Sequence, residues 1–297
     1  MVTFDQLVSF HDDQANELLF HAVIIMARLG GAAATSTYKV CPVLQAPSPI
    51  CLVLKQVKLN EHRDRMLSLE NELQKLKQIH HSNIINVLEF RMASAGDEWQ
   101  VDVLTDFASK GSLTEMLQMV DIIPVHKTKS FIIELLDALS FYHKNGIIHG
   151  RLHADNVLFC RSSPGIIILK IADAGFPYTL QHIHSHARDR FKSVMRNDWR
   201  SPEQSGTALS IPTRKSDIWD FGVVLVQMLF GLDITQKYSS PPSLINGANL
   251  SDAFDDLIRE IFHVDPKKRP NAIDMIPHEF LRTDAPAVSR RSSTILT

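Results

Sequence analysis

The chain has 297 residues, of which 44% are hydrophobic and 22% charged, and its formal net charge is −2. This length allows a large core, and the near-neutral charge excludes global attraction to nucleic acid or to an anionic membrane surface. The three cysteines, Cys41, Cys51 and Cys160, favour a reducing compartment with buried thiols over a disulfide framework. No apolar run is long enough to span a bilayer, so the sequence predicts a cytoplasmic protein without a membrane segment.

The first part of the chain is predicted to be rich in strands. Short apolar runs with Gly, Ser, Thr and Pro between them indicate three strands within residues 17–59. Over residues 61–79 apolar side chains recur at helical spacing, which predicts one amphipathic helix. Two further runs, at 86–93 and 99–107, are typical of strands.

The second part is predicted to be helical almost to its end. The run 129–146 predicts a helix that ends at Gly146, because glycine favours the backbone conformation of a C-terminal cap. The run 215–231 is apolar almost all round and predicts a buried central helix. Residues 283–297 are small and polar, which predicts a flexible tail or linker.

A series of short motifs runs through the chain in a fixed order. They are LVLK ending at Lys55, Glu72 on the predicted helix, HGRLHADN from His149, DAG from Asp173, SPE ending at Glu203, DIWDFG from Asp217 and DPKKRP with Arg269. This order and spacing resemble those of a eukaryotic protein kinase domain, over residues of roughly 20–282. The resemblance implies a bilobal α+β fold with three parts: a small β-rich N-lobe at 1–106, a larger helical C-lobe at 107–282, and the tail at 283–297.

The resemblance also implies roles for the residues at the motif positions. Lys55 and Glu72 stand where kinases have their phosphate-anchoring pair, and Asn156 and Asp173 stand at the two magnesium positions. These four form a vestigial nucleotide-binding set. The alternative is that Lys55 and Glu72 form a structural ion pair and that Asn156 holds the loop. In the family the glutamate of A-P-E pairs with a late arginine, and the structural positions are His149, Glu203, Asp217 and Arg269.

Several positions depart from the family pattern in ways that affect catalysis. Arg151 replaces the aspartate that accepts the substrate proton, and a guanidinium stays protonated at cellular pH. His153 replaces the loop lysine. Counting back from Lys55 places the glycine-rich loop at 33–40, where no glycine stands. Glycines 30 and 31 lie nearby and leave that register open.

Smaller departures from the family pattern also disfavour nucleotide binding or regulation of the kinase type. Val53 adds two methyl groups relative to the alanine that lines the adenine site. Ala174 replaces the phenylalanine of D-F-G, and Phe176 is a candidate to fill the gap. Gly150 removes the arginine that binds a phosphorylated loop in many kinases. Asp155 is a candidate substitute base, but the family geometry points that position away from the substrate, so a solvated acid is expected.

Two surface patterns are expected to carry no site. Histidines 182, 184 and 186 alternate as in a metal-binding tract, but three exposed histidines are the expected structure, so no metal is predicted. The basic run 188–196 is expected to be a solvated face rather than a phosphate-binding site.

The amino-acid sequences of three segments, 70–90, 122–143 and 147–158, make the resemblance more specific within the kinase family. They are similar to the degenerate kinase-like domain that precedes the working kinase domain in the amino-acid-starvation (general control) kinases of translation initiation factor two alpha. The resemblance implies an inactive pseudokinase that activates an adjacent kinase domain in cis, or in trans within a homodimer. It implies no cofactor, with ATP and magnesium binding not expected.

Two alternatives to this interpretation remain. One is a weakly active or nucleotide-switched Ser/Thr kinase that uses non-standard residues, which the surviving anchors at Lys55 and Asp173 would serve. The other is an RNA- or ribosome-binding domain. Dispersed basic residues and an aromatic content of 7% disfavour direct nucleic-acid binding.

Overall fold

A computed structural model describes residues 7–9, 22–32, 35–43, 50–60, 63–96, 98–174, 199–205, 211–282 and 286–287. These residues form two compact units, and the first gives way to the second between Ala108 and Ser109. The sequence prediction places that boundary two residues earlier. Within the described ranges, no helix is long and apolar enough to cross a membrane.

The first unit is built on one antiparallel sheet. Its strands are β1 (Leu7–Ser9), β2 (Ala22–Ala32), β3 (Thr35–Pro42), β4 (Leu52–Asn60), β5 (Val87–Ala95) and β6 (Glu98–Asp106). The six strands lie in the order β1-β2-β3-β4-β6-β5. The sequence patterns predict all of them except β1, whose three residues are too few to show a periodic pattern.

Both faces of this sheet carry buried apolar clusters, because successive side chains of a strand point to opposite faces. Helix α1 (Arg63–Gln78) covers one face. The cluster beneath it consists of Val57, Leu59, Met66, Leu69, Leu73, Val101 and Val103. The cluster on the other face consists of Val8, Val23, Val40, Leu52, Leu54 and Leu104.

The second unit is mainly helical. Its helices are α2 (Leu113–Val120), α3 (Val125–Lys144), α4 (Arg214–Phe230), α5 (Ile234–Lys237), α6 (Pro241–Gly247), α7 (Asp252–Ile261), α8 (Ala272–Met275) and α9 (Glu279–Arg282). It also contains a hairpin of β7 (Val157–Ser163) and β8 (Ile166–Ile171). The expectation of helix almost throughout this part is wrong at the hairpin. Gly165 turns the chain there at φ 82°, and the β-branched run of β8 favours a strand.

Helix α4 is the central helix that the sequence predicts. Its residues are buried from Ser216 to Leu229. The helix begins with a capping box between Thr213 and Ser216 and ends at Gly231, where φ is 88°. At Gly222 a Cβ atom would lie 2.3 Å from the Ile261 side chain, so α4 and α7 are packed too closely there for a larger residue.

The predicted flexible tail is partly fixed. Ala287 is buried, and its carbonyl accepts a hydrogen bond from the Ser251 N–H at 3.1 Å. The Ser251 hydroxyl donates to the Pro286 carbonyl. These contacts attach residues 286–287 to the N-terminus of α7, because the helix start provides polar groups that need partners. The prediction of a flexible segment is therefore wrong at these two residues.

Candidate functional site

The loop from His149 to Asn156 is fastened to α4 by one buried carboxylate. Asp217, which is fully buried, accepts hydrogen bonds from the His149 N–H at 2.9 Å and the Gly150 N–H at 2.8 Å. Its Oδ2 atom also lies 2.8 Å from His143 Nε2. Gly150 has φ 75°, a conformation that glycine adopts without strain. The glycine at this position therefore suits the backbone of the loop.

The imidazole of His149 connects two segments of the site. Its Nδ1 atom accepts a hydrogen bond from the Arg151 N–H at 3.3 Å, which leaves Nε2 to donate to the Ala172 carbonyl at 2.9 Å. Burial lowers the pKa of His149, against the opposing charges of Asp217 and Asp173. The ring is therefore neutral, with its proton on Nε2, and holds Arg151 next to the segment that leads to Asp173.

Asn156 ties the same two segments together. Its Nδ2 atom donates to the Arg151 carbonyl at 3.1 Å, and its own carbonyl accepts from the Ala172 N–H at 2.9 Å. This agrees with the alternative in which Asn156 holds the loop. Asp173 follows directly and has φ 65°, which is uncommon for a residue other than glycine. Ala174 is buried.

Arg151, which the motif resemblance assigns to the position of the catalytic base, is influenced by two nearby acids. Burial lowers its pKa, while the nearby carboxylates of Asp173 and Asp155 raise it. A guanidinium so placed remains a cation and has no lone pair with which to accept a proton. It can balance the charge of the acids, but it cannot act as a general base.

Asp155 is engaged by the residue that replaces the loop lysine. His153 Nδ1 accepts from the Asp155 N–H at 3.2 Å, which caps the short 3₁₀ turn Ala154–Asn156, and lies 3.4 Å from the Asp155 carboxylate. His153 is the main cause that holds the pKa of Asp155 below its ordinary value, although burial raises it. Since a carboxylate with a lowered pKa is a weaker base, Asp155 is a poor substitute for the missing aspartate.

In the first unit, Lys55 and Val53 lie on β4, which pairs with β3 and with β6 in a regular register. Lys55 pairs with Thr37 on β3 and Val103 on β6. The Glu72 side chain is 42% exposed, and its carboxylate lies 2.7 Å from Lys75 Nζ. Its pairing with Lys55 stays a prediction. Lys75 lies three residues further along the same helix, within easy reach of Glu72.

The structure describes strands on either side of the predicted glycine loop. Strands β2 and β3 pair as far as Ala32 and Thr35. Most of the segment 33–40 is therefore strand, as its β-branched threonines favour. Gly30 and Gly31 lie in β2, opposite Thr37 and Ser36.

Glu203 and Arg269 are brought together in the second unit. The guanidinium donates two hydrogen bonds to the carboxylate, at 2.6 and 2.8 Å. Arg269 also donates to the carbonyls of His263 and Lys215, and its guanidinium lies 4.8 Å from the centre of the Trp219 ring. Burial raises the pKa of Glu203, but the bonds to Arg269 hold it below its ordinary value. The charges are thus paired and fully hydrogen-bonded.

One acid of this region, Asp220, is not predicted from the sequence. It is buried on α4, and burial together with the charges of Asp217 and Glu203 raises its pKa well above the ordinary value. The signal in the sequence was an acidic residue within the predicted, almost wholly apolar helix. Phe176, the histidines 182, 184 and 186, and the basic run 188–196 lie outside the described residues. In the part that the structure describes, no group of three or more His, Cys, Asp or Glu side chains could hold a metal ion.

Comparison with known proteins gives the family. Residues 31–281 match the protein kinase domain. The chain belongs to the protein kinase family. It is 31% identical over 223 residues to the eIF-2-alpha kinase GCN2 of Schizosaccharomyces pombe, and 27% identical over 254 residues to the serine/threonine-protein kinase SMU1 of Mycosarcoma maydis. These alignments cover 72% and 80% of this chain but only 14% and 31% of the two relatives.

A solved structure confirms the α+β kinase fold. The crystal structure of Rad53 1–466 in complex with AMP-PNP aligns with a TM-score of 0.64 over 87% of this chain and 65% of that chain. Its sequence identity is 19%, so the likeness concerns the fold alone.

Kinases of this family use ATP with magnesium, and the second unit can be tested for its fit to the metal. The oxygen donors at the family positions are the Asp173 carboxylate and the Asn156 amide. Magnesium prefers several hard oxygen ligands in near-octahedral geometry. The positive charge of Arg151 acts on the same Asp173 carboxylate, so it competes electrostatically with a divalent cation. Both oxygen donors are therefore present, and the positive charge of Arg151 acts against a divalent cation beside them.

Proposed function

We propose that this chain is a pseudokinase domain that regulates an adjacent kinase domain and transfers no phosphate itself. The observation that carries the proposal is Arg151. It stands at the position of the catalytic base, in a loop whose backbone is held by Asp217, His149 and Asn156. Hydrogen bonds hold the backbone of this loop, and the side chain of Arg151 cannot accept a proton.

Two further observations support inactivity. His153 replaces the loop lysine and bonds within its own turn, where it lowers the pKa of Asp155. In the first unit, Lys75 forms a salt bridge with Glu72, the glutamate that the family's phosphate anchor needs for the strand lysine. Each of these changes weakens a contribution to the stabilisation of the transferring phosphate.

The first test measures phosphate transfer. We expect the purified chain to incorporate no radiolabelled phosphate from ATP, into itself or into a protein substrate, in magnesium or manganese. Loss of a positioned base alone costs roughly 10²- to 10⁴-fold in rate. Incorporation that disappears in Asp173→Ala would contradict the proposal and favour the alternative, a weakly active Ser/Thr kinase. Arg151→Asp alone is expected to stay inactive, because His153 remains.

The second test concerns the nucleotide. We propose that the domain holds no ATP–magnesium complex at physiological concentrations, because of the charge of Arg151 beside Asp173. A ligand at about 100 times its dissociation constant would stabilise the fold by about 2.7 kcal/mol. We therefore expect no magnesium-dependent rise in melting temperature at millimolar ATP, and such a rise would overturn this part of the proposal.

The regulated partner is proposed from the similarity to the eIF-2-alpha kinase GCN2. We propose that the domain binds an active kinase domain of the same cytoplasmic polypeptide, in cis or in trans within a homodimer, and raises its activity. A domain that makes no product can act only by binding one state of its partner more tightly, and a coupling of about 1–3 kcal/mol is sufficient.

The test is a deletion with a matched point variant. In a polypeptide that carries this domain beside an active kinase domain, deletion of residues 1–282 should lower the starvation-induced phosphorylation of initiation factor two alpha. Lys55→Ala should leave it nearly unchanged, since contact carries the effect. If the deletion has no effect, activation by contact is wrong. If Lys55→Ala acts like the deletion, nucleotide-dependent switching is the better explanation.

A further inference from the structure

Two cysteines lie one residue beyond the last pair of the β3–β4 ladder. The paired residues run from Thr35 with Val57 to Val40 with Leu52. Cys41 follows Val40 and Cys51 precedes Leu52, so the antiparallel register, continued by one residue, sets Cys41 opposite Cys51. The two cysteines are ten positions apart in the sequence, and the continued register brings them together.

The side chains of the two cysteines share one face of the sheet. Val40 and Leu52 both belong to the buried cluster on the face away from α1. Because side chains alternate along a strand, the same continued register places Cys41 and Cys51 together on the opposite face. Both are partly exposed, whereas Cys160 is buried. The expectation of buried thiols is therefore wrong for the first two cysteines, which lie near the end of their strands.

This arrangement suits a disulfide bond. Side chains directly opposite each other in an antiparallel pair have Cβ atoms about 4.5–5.5 Å apart. A disulfide needs a Cβ separation of about 3.5–4.5 Å and a Cα separation of about 4.4–6.8 Å. The regular pairing ends at Val40 and Leu52, so the bond requires the two strands to approach each other one residue further along.

We propose that Cys41 and Cys51 are a redox modification site, at which a peroxide forms an intramolecular disulfide. The thiolate of one cysteine attacks a peroxide oxygen, the O–O bond breaks, and a sulfenic acid and one water form. The thiol of the other cysteine attacks that sulfur, the S–O bond breaks, and a second water leaves. The two sulfurs give up the two electrons that reduce the peroxide. In a reducing compartment such a bond is transient and responds to oxidants.

The bond would join β3 and β4 at the end that also carries Lys39 and Val53. It would close the chain between Cys41 and Cys51 into a short loop, which restricts the unfolded chain and raises the melting temperature of the first unit by several degrees. The proposal is independent of the proposed function, because neither cysteine belongs to the candidate site.

The test treats the reduced, folded 297-residue chain with hydrogen peroxide and then traps the remaining thiols. We expect the intact mass to fall by two hydrogen atoms, the reactive thiols in denaturant to fall from three to one, and peptide mapping to join Cys41 to Cys51. Dithiothreitol should restore all three thiols. Oxygen addition to single cysteines without a cross-link would overturn the proposal, as would a cross-link to Cys160 or between chains.

Three matched variants give the control. Cys160→Ser should keep the mass loss, while Cys41→Ser and Cys51→Ser should each abolish it. Persistence of the mass loss in either of the last two variants would also overturn the proposal. The peptide map of the unmodified sequence decides the question even where a variant folds poorly.

Discussion

Asp217→Asn tests whether one carboxylate holds the functional loop in place. The two oxygens of Asp217 accept from the His149 and Gly150 N–H groups and bond to the His143 ring, at 2.8–2.9 Å, in a fully buried site. Asparagine keeps one oxygen and presents an NH₂ group in place of the other, so at least one N–H then faces another donor. Hydrogen bonds to charged groups contribute about 1.5–3 kcal/mol each, and we expect a loss of about 2–4 kcal/mol in the free energy of unfolding.

The assay is urea unfolding followed by tryptophan fluorescence. Trp199 and Trp219 are buried in the same unit as Asp217, and the Trp219 Nε1–H donates to the Trp199 carbonyl. The matched control is Asp255→Asn, where the carboxylate forms an exposed pair with Arg259 one helical turn away. We expect little change there, because exposed ion pairs are screened by solvent. An equal effect of the two substitutions would refute the role given to Asp217.

Two further predictions concern buried charge. Glu203→Gln leaves the buried Arg269 without its counter-charge, so we expect a loss of about 3 kcal/mol in the free energy of unfolding; a loss no larger than that of Asp255→Asn would contradict the pairing. The pKa of His149 is lowered in the folded chain. Below the ordinary histidine pKa of about 6.5 the unfolded chain therefore binds an extra proton. The free energy of unfolding then falls by at most about 1.4 kcal/mol per pH unit. His149→Gln should flatten this slope between pH 6.5 and 5, and an unchanged slope would show that His149 does not cause it.

The sequence predicts the elements that have a long periodic pattern. Helix α4 is an example, because an apolar run bounded by a capping threonine and by Gly231 permits few other structures. The hairpin of β7 and β8 is missed, since a short apolar run such as Ile166–Ile171 does not distinguish a strand from a buried helix segment. The segment forms a strand because β8 pairs with β7. That pairing depends on residues outside the apolar run itself.

At the site, the sequence identifies residue positions better than contacts. The order of motifs predicts that Glu203 meets Arg269, although 66 positions separate them. The contact of Glu72 with Lys75 is not predicted, because the choice between a strand lysine and Lys75 depends on how α1 is oriented over the sheet. The juxtaposition of Cys41 and Cys51 needs the exact strand register, which a change of one residue would reverse.

The retained and the replaced residues of the loop differ in what they do for the fold. Asp217, His149 and Asn156 satisfy backbone groups that are buried, so losing any of them leaves donors or acceptors unpaired at a cost of about 1–3 kcal/mol each. Arg151 contributes through a side chain that faces other charged groups, so a change there leaves the backbone bonds of the loop intact. His153 differs, because its side chain accepts the Asp155 N–H that caps its turn. A kinase fold can therefore lose its base and keep its shape. The proposed binding to a partner depends on that shape, which Asp217, His149 and Asn156 hold.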